Sequence, residues 1–236
     1  MALGQPRRQA GLRAKGKRKF KATTDSNHAH PIAENLLNQR FQATRPNQVW
    51  LSDLTYIRTQ EGWLYLAAVL DLYAREIVVL GQPLGWALGA RMTQPLVIDA
   101  LRMAWFRKHP GKHMGLVFHC DRGSQYASLA FRKVLNDYGR MQSMSGAGNC
   151  FDNAPRGWPR AMESFWHSLK VEDVHDRNFA TREDATRAIV IYIEAFYNCE
   201  RRHSSIGYLS QRQFEKQFYQ QQNLNQNNSV KQSTKP

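Results

Sequence analysis

Asp53 lies in the middle of QVWLSDLTYIR (residues 48–58), a run of β-branched and aromatic residues. Burying an unpaired carboxylate in such a run is costly, and a bound cation would compensate it. Asp121 closes the short apolar run 116–120 and opens a turn that contains glycine. Strand ends at the edge of an α/β sheet commonly carry function. Glu163, in MESFW, stands at the start of a helical segment. Carboxylates are the ligands that hard ions such as Mg²⁺ prefer. Two such ions about 3.5–4 Å apart can activate an attacking oxygen and stabilise a leaving one, which is what phosphoryl transfer on DNA requires. Two other acids compete for the role. Asp71 also lies in an apolar strand (VLDLY), and Asp152 is placed to cap a helix. Spacing alone does not select three ligands among 19 Asp and Glu.

These acids sit in a strongly basic chain. Lys and Arg number 33, and the net charge is +14. Such an excess attracts polyanions, with nucleic acid the default partner; it names a partner class, not a reaction. Residues 7–21 hold eight Lys or Arg and no acid. A block of like charge stays extended until it meets an anion, and DNA backbone is the expected one. Lys15, Lys17, Arg18 and Lys19 are its central cations. Arg201, Arg202 and His203 form a second basic cluster, read either as phosphate contacts or as charges favoured at a helix C-terminus. Lys170, two helical turns after Glu163, is either a third phosphate contact or a solvated lysine. Cys120, Cys150 and Cys199 form no CxxC pair, so zinc is not expected. Their sparse, odd number suits a reducing cytoplasm. His119 and Cys120 read as strand packing. The longest apolar run, 63–70, is too short to span a bilayer, and the N-terminus has no signal-peptide core.

The elements that must position the acids follow from periodicity. Residues 48–58, 63–73 and 75–80 read as three strands in an antiparallel meander. Residues 93–106 read as a helix, 116–120 as a buried strand and 141–145 as a short one. Ser128 is placed to cap a helix with Phe131, Val134, Leu135 and Tyr138 on one face and Gly139 at its end. Thr181 and Asp184 form a capping-box pattern before Ala185, Ala188, Ile189, Tyr192, Ile193 and Phe196. The order of strands, crossover helix, strand and helices is that of an α/β domain. A basic arm (1–44), a core (45–214) and a Gln/Asn-rich tail (215–236), without a packing pattern and expected to be disordered, divide the chain.

The segments PNQVWLSDLTYI, GWLYLAAVLDLYARE, HCDRGSQYAS, SMSGAGNCFDNA, MESFWHSLK and YNCERRHSSIGYLS, taken together, are highly specific. On them the chain, from about residue 18 to 214, resembles the second-reading-frame transposases of the insertion-sequence-three family. The resemblance implies an RNase H-like, integrase-like core: a mixed five-stranded sheet flanked by helices. It implies that Asp53, Asp121 and Glu163 form a D-D-E triad on two Mg²⁺ or Mn²⁺ ions, leaving Asp71 and Asp152 structural or supporting. It also implies cleavage at transposon ends to expose a 3′-hydroxyl, strand transfer to other DNA, an upstream-frame protein partner, a homo-oligomer on DNA, no membrane, and a place in the bacterial cytoplasm with the nucleoid. The first 44 residues correspond to a shortened family region. Three departures stand out. Forty-one residues separate Asp121 from Glu163, six more than the family pattern, and RGWPRA (156–161) accounts for them. VLGQPL (79–84) is a second extra stretch, and Ala147 stands where many relatives are basic. Prolines in the longer insertion favour a loop, with the helix starting near Pro159 so that Glu163 keeps its face. A relic that binds DNA without catalysis, and a nuclease that cuts without joining, are the competing readings.

Overall fold

The computed structural model describes residues 28–38, 41–78, 87–111, 115–146 and 159–233. β1 (Val49–Thr59) and β2 (Gly62–Asp71) form a long antiparallel hairpin, with Asp53 opposite Ala68. Gly62, at φ +111°, makes the turn. β3 (Ala87–Gly89) pairs antiparallel with β2. After α1 (Gln94–Lys108), β4 (Val117–Cys120) returns parallel to β1. Two short helices, α2 (Ser124–Ala127) and α3 (Leu129–Asp137), lead to β5 (Met141–Met144), parallel to β4. The five-stranded mixed sheet has the order β3-β2-β1-β4-β5. Then come α4 (Pro159–Leu169), which passes into a π-helical turn at Lys170–Val174, α5 (Arg182–Ile191), which does the same at Tyr192–Tyr197, and α6 (Gln211–Ser233).

The pleat of β1 distributes its side chains to two cores, because successive residues point to opposite faces. Val49, Leu51 and Ile57 pack with Phe165, Trp166 and Leu169 of α4 and with Ile189 of α5. Trp50 and Leu54 pack on the other side with Val97 and Leu101 of α1 and Phe131 and Leu135 of α3. Two helical layers thus enclose the sheet. The expected caps are present: Ser128 Oγ accepts from Phe131 N–H (3.3 Å) and Thr181 Oγ1 from Asp184 N–H (3.0 Å). No described helix is long and apolar enough to cross a membrane.

Three expectations need correction. Among the described residues of 75–80 there is an isolated bridge, Ile77 to Leu70, flanked by two backbone bonds to β2, rather than a full strand, and the strand that extends the sheet is β3. Asp71 causes the break. Its carboxylate accepts from Tyr73 N–H (2.9 Å) and Ala74 N–H (3.3 Å), and Arg75 then turns into the left-handed region at φ 58°. Residues 79–84, the shorter extra stretch, lie outside the described residues. The tail does not lack structure, because α6 runs through it. Phe214 and Phe218, one turn apart, pack tilted and edge-on against Tyr73 with ring centres 5.0 and 5.2 Å away, and Glu215 meets Lys108. No Gly or Pro interrupts the segment. Finally, the 1–44 segment is not all arm: residues 33–37 lie against β5, and Leu37 enters the core.

The end of the α5 layer is fastened to the β2–β3 connection by Asn198, fully buried. Its amide accepts from Ile77 N–H (3.0 Å) and donates to Ile77 carbonyl (2.9 Å). Asn198→Ala would strand both backbone groups away from water. We expect it to lower stability by about 2–4 kcal/mol, read as a shifted urea midpoint at unchanged slope.

Candidate active site

The parallel pairing of β1 with β4 brings two acids together. Leu51 is opposite His119. Two residues further along each strand direction come Asp53 and Asp121, on the same face, with neighbouring strands about 4.8 Å apart. That face is the one covered by α4. Asp53 Oδ1 accepts from Leu54 N–H (2.7 Å), and Oδ2 accepts from the indole N–H of Trp166 on α4 (2.9 Å). Asp121, buried, accepts from Gly123 N–H (2.9 Å), which shapes the turn after β4. Burial, and next the charge of Asp121, push the Asp53 carboxyl from 3.8 up to about 7, against the pull of Trp166, Leu54 and Lys170. The pair is therefore short of positive charge. Two oxygen-donor groups repelling each other in a poorly solvated place are a fit for a hard divalent cation.

The surroundings sharpen that electrostatic deficit. Beside the pair, the Tyr126 hydroxyl shares a 2.9 Å hydrogen bond with Ser52 Oγ, and burial followed by the charges of Asp121 and Asp53 pushes its pKa well up. Burial does the same to the Cys120 thiol. Lys170 is buried, its ammonium 5.2 Å from the centre of the Tyr56 ring, and it faces Asp53. Burial lowers its pKa and Asp53 pulls it back.

Glu163 sits on α4 one turn before Trp166, with its side chain exposed. Among the described residues no three His, Cys, Asp or Glu are grouped closely enough to hold a metal ion. The structure thus joins Asp53 with Asp121 and leaves Glu163 on the adjoining helix. The helix does begin at Pro159, inside the longer extra stretch, and Ala161, Met162, Phe165 and Trp166 are buried. Ala147, Cys150 and Asp152 lie outside the described residues, as do Lys15, Lys17, Arg18 and Lys19.

The basic candidates of the core fare differently. Lys170 is not a solvated lysine: it is buried and feels the charge of Asp53. Arg201 is engaged by both oxygens of Glu172 at 2.6–3.0 Å. His203 Nδ1 receives Ser205 N–H (3.2 Å), and burial, then Arg75 and Arg201, lower its pKa to about 4. Arg202 is exposed. Asp71 is a structural acid: its carboxylate also accepts from Asn47 N–H (2.6 Å). His119 packs as expected, with Ser143 Oγ 2.8 Å from Nδ1 and Phe41 edge-on. Sequence reasoning missed Trp166. Its only signal was an indole three residues after a candidate acid, on the same helical side.

The chain is similar to known proteins along most of its length. An integrase core domain family matches residues 43–150, and a second integrase core domain family matches residues 163–219. An insertion element IS600 uncharacterized 31 kDa protein of Shigella sonnei is 48% identical over 218 residues, covering 92% of this chain and 75% of that protein. Transposase InsF for insertion sequence IS3A of Escherichia coli (strain K12) is 46% identical over 209 residues, covering 88% of this chain and 67% of that protein. Among solved structures, the simian T-cell lymphotropic virus intasome in complex with PP2A regulatory subunit B56 gamma has a chain similar in fold. Its TM-score is 0.54 at 16% identity, and the match covers 81% of this chain and 60% of that one. That likeness shows the fold alone, the RNase H-like arrangement.

The raised Asp53 pKa has a definite sign for stability. A carboxyl raised above its unfolded value favours the fold below that value, and the benefit is lost as pH rises through the folded value. Without divalent metal, stability contributed by Asp53 should fall between about pH 4 and 7. Asp121→Asn keeps an oxygen for Gly123 N–H and removes the repulsion. We expect a shallower decline and a gain on the order of 1 kcal/mol at pH 8, measured by urea unfolding in EDTA. An unchanged slope would assign the shift to burial alone.

Proposed function

The chain belongs to the insertion-sequence-three family of transposases, as the second-reading-frame catalytic subunit, and from that premise we propose that Asp53, Asp121 and Glu163 carry its phosphoryl transfer. The observation that supports this reading most is the Asp53–Asp121 pair on adjacent parallel strands, facing the helix that bears Glu163. Two Mg²⁺ or Mn²⁺ ions held by these three carboxylates would supply activation of the attacking oxygen and stabilisation of the leaving one. The chain's own residues prepare the place. Trp166 aligns Asp53, Gly123 N–H aligns Asp121, and Lys170 moderates the charge of Asp53. Gln142, which donates to Tyr126 carbonyl (2.8 Å), ties β5 to the turn behind Asp121.

The reaction proposed is cleavage at the ends of the element to expose a 3′-hydroxyl, followed by transfer of that end to target DNA. The chain would act in the bacterial cytoplasm at the nucleoid, as a homo-oligomer on DNA and with an upstream-frame protein of the same element. The arm cations and Arg202 are the groups we assign to phosphate contact. Arg201, held by Glu172, acts by orienting the loop that presents Arg202.

Nicking of a labelled duplex carrying the element's ends, with Mg²⁺ or Mn²⁺ and the upstream-frame protein present, tests the reading. We expect nicking by the parent chain and only background from Glu163→Gln. DNA binding without nicking by either protein would instead favour the non-catalytic relic. Trp166→Phe keeps the apolar bulk and deletes the bond to Asp53. We expect it to weaken Mn²⁺ binding about 10- to 100-fold, read as a smaller metal-induced rise in melting temperature. Equal metal stabilisation in the two proteins would remove Trp166 from the site.

A further inference from the structure

The acid pair belongs to a row of side chains that crosses three strands. Leu51, His119 and Ser143 lie level on β1, β4 and β5. Moving two residues along each strand returns to the same face, so the next row reads Asp53, Asp121 and Ser145. The parallel ladder reaches that far, since Ser145 N–H donates to Cys120 carbonyl (3.1 Å). The first row confirms the shared face: Ser143 Oγ lies 2.8 Å from His119 Nδ1. Neighbouring strands are about 4.8 Å apart, which puts Ser145 beside Asp121.

The fold treats these two serines differently. Ser143 Oγ meets His119 and also accepts from Leu36 N–H (2.9 Å). Ser145 is 5% exposed, and its Oγ has no hydrogen-bond partner among the described residues. A buried hydroxyl left unpaired costs about 1–3 kcal/mol. A shift of the backbone cannot relieve that cost, because both backbone groups of Ser145 are held. Its N–H is on Cys120 carbonyl, and its own carbonyl accepts from Arg122 Nε–H (2.6 Å). Arg122 is held in turn by His28, whose Nε2 lies 2.7 Å from the Arg122 carbonyl oxygen. What remains free is rotation about χ1, among three staggered positions. Alanine would fill the same place and leave nothing unpaired. On this face, the chemistry open to a fixed, dry hydroxyl beside Asp121 is donation to that carboxylate.

We infer that Ser145 is a positioning residue for Asp121: when a divalent cation is held at the acid pair, the Ser145 hydroxyl turns to donate to the Asp121 carboxylate and fixes its orientation toward the cation. Hydrogen bonds from such outer partners orient metal ligands and are part of a site's affinity. A donor also favours the charged form of the carboxylate, which the pair needs before it can hold a cation. The inference rests on the reading of Asp53 and Asp121 as metal-holding acids. It makes β5 a third strand of the site, fastened to the turn after Asp121 through Arg122.

The test compares the full chain with Ser145→Ala by urea unfolding in EDTA and by the rise in melting temperature on adding Mn²⁺. In EDTA we expect the variant to be as stable as the parent or more so, because the hydroxyl it deletes is unpaired there. With Mn²⁺ we expect it to need about 10-fold more metal for the same rise. The half-saturating Mn²⁺ concentration for nicking should move by the same factor, with the rate at saturating metal retained. An equal Mn²⁺ response in the two proteins would overturn the role of Ser145 and leave the acid pair standing as the metal site. A loss of stability in EDTA would overturn it as well, by showing that the hydroxyl serves the metal-free fold. Absence of any Mn²⁺ response in the parent chain would overturn the inference together with the metal-holding reading of Asp53 and Asp121.

Discussion

Two like charges held side by side on neighbouring parallel strands are the constraint around which the molecule is built. The sheet order puts β1 next to β4, and their register sets Asp53 level with Asp121. The pleat then decides which helical layer the acids face. Odd-numbered residues of β1 from Val49 to Ile57 point toward α4, so the carboxylates meet the layer that carries Trp166, Lys170 and Glu163 rather than the layer of α1. A slip of one residue in either strand would turn an acid to the wrong side. The core therefore does more than stabilise. Trp50, Leu51 and Phe118, all fully buried, lock the register on which the site depends.

The helix α4 answers the question raised by the extra residues before Glu163. In a continuous helix, six added residues would rotate the downstream part by about 600° and carry Glu163 away from its face. Here the phase of the helix is fixed from within. Met162, Phe165, Trp166 and Leu169 form a buried stripe at helical spacing, and Trp166 is bonded to Asp53. That stripe and that bond set the rotation of α4 whatever the chain does upstream of Pro159. Glu163 borders the stripe, one turn from the residue that touches Asp53. The π-helical turn at Lys170–Val174 then shifts the phase once more and brings Lys170 inward to Tyr56 and Asp53.

The parts legible in the sequence are those settled by local chemistry. The alternation of β1, the turn at Gly62, the caps at Ser128 and Thr181, and the start of α4 at a proline are each dictated by a few adjacent residues. The illegible parts depended on partners distant in the chain. Residues 75–80 are rich enough in Val and Ile to read as a strand, but the Asp71 carboxylate captures the N–H groups just after it and ends the strand. The Gln/Asn tail has no periodic stripe, yet Phe214 and Phe218 find Tyr73 and order it as helix. The charges of Lys170 and His203 look alike in sequence to those of any basic cluster. Burial and neighbours make one a counter-charge for Asp53 and the other a neutral ring. The three acids proposed for the site were named from family segments, whereas the Trp166–Asp53 bond needed the fold.

Buried acids elsewhere in the chain show why the Asp53–Asp121 pair differs in kind. Asp71 is as deeply buried, but three backbone N–H groups, of Asn47, Tyr73 and Ala74, surround its carboxylate. Glu76 is buried too. Burial alone would raise its pKa, yet Lys108, with Glu215 and Arg107, holds it at about 2. Each of these acids serves to fasten elements: Asp71 the turn after β2, although burial still raises its pKa, and Glu76 the junction of α1 with α6. Asp53 differs in its neighbour. After burial, the next largest influence is an unfavourable one, the charge of Asp121, and the donors present leave the carboxyl at about 7. A like charge as the largest influence after burial favours a cation from outside, and that, more than the presence of acids, is what supports reading the pair as the site of chemistry.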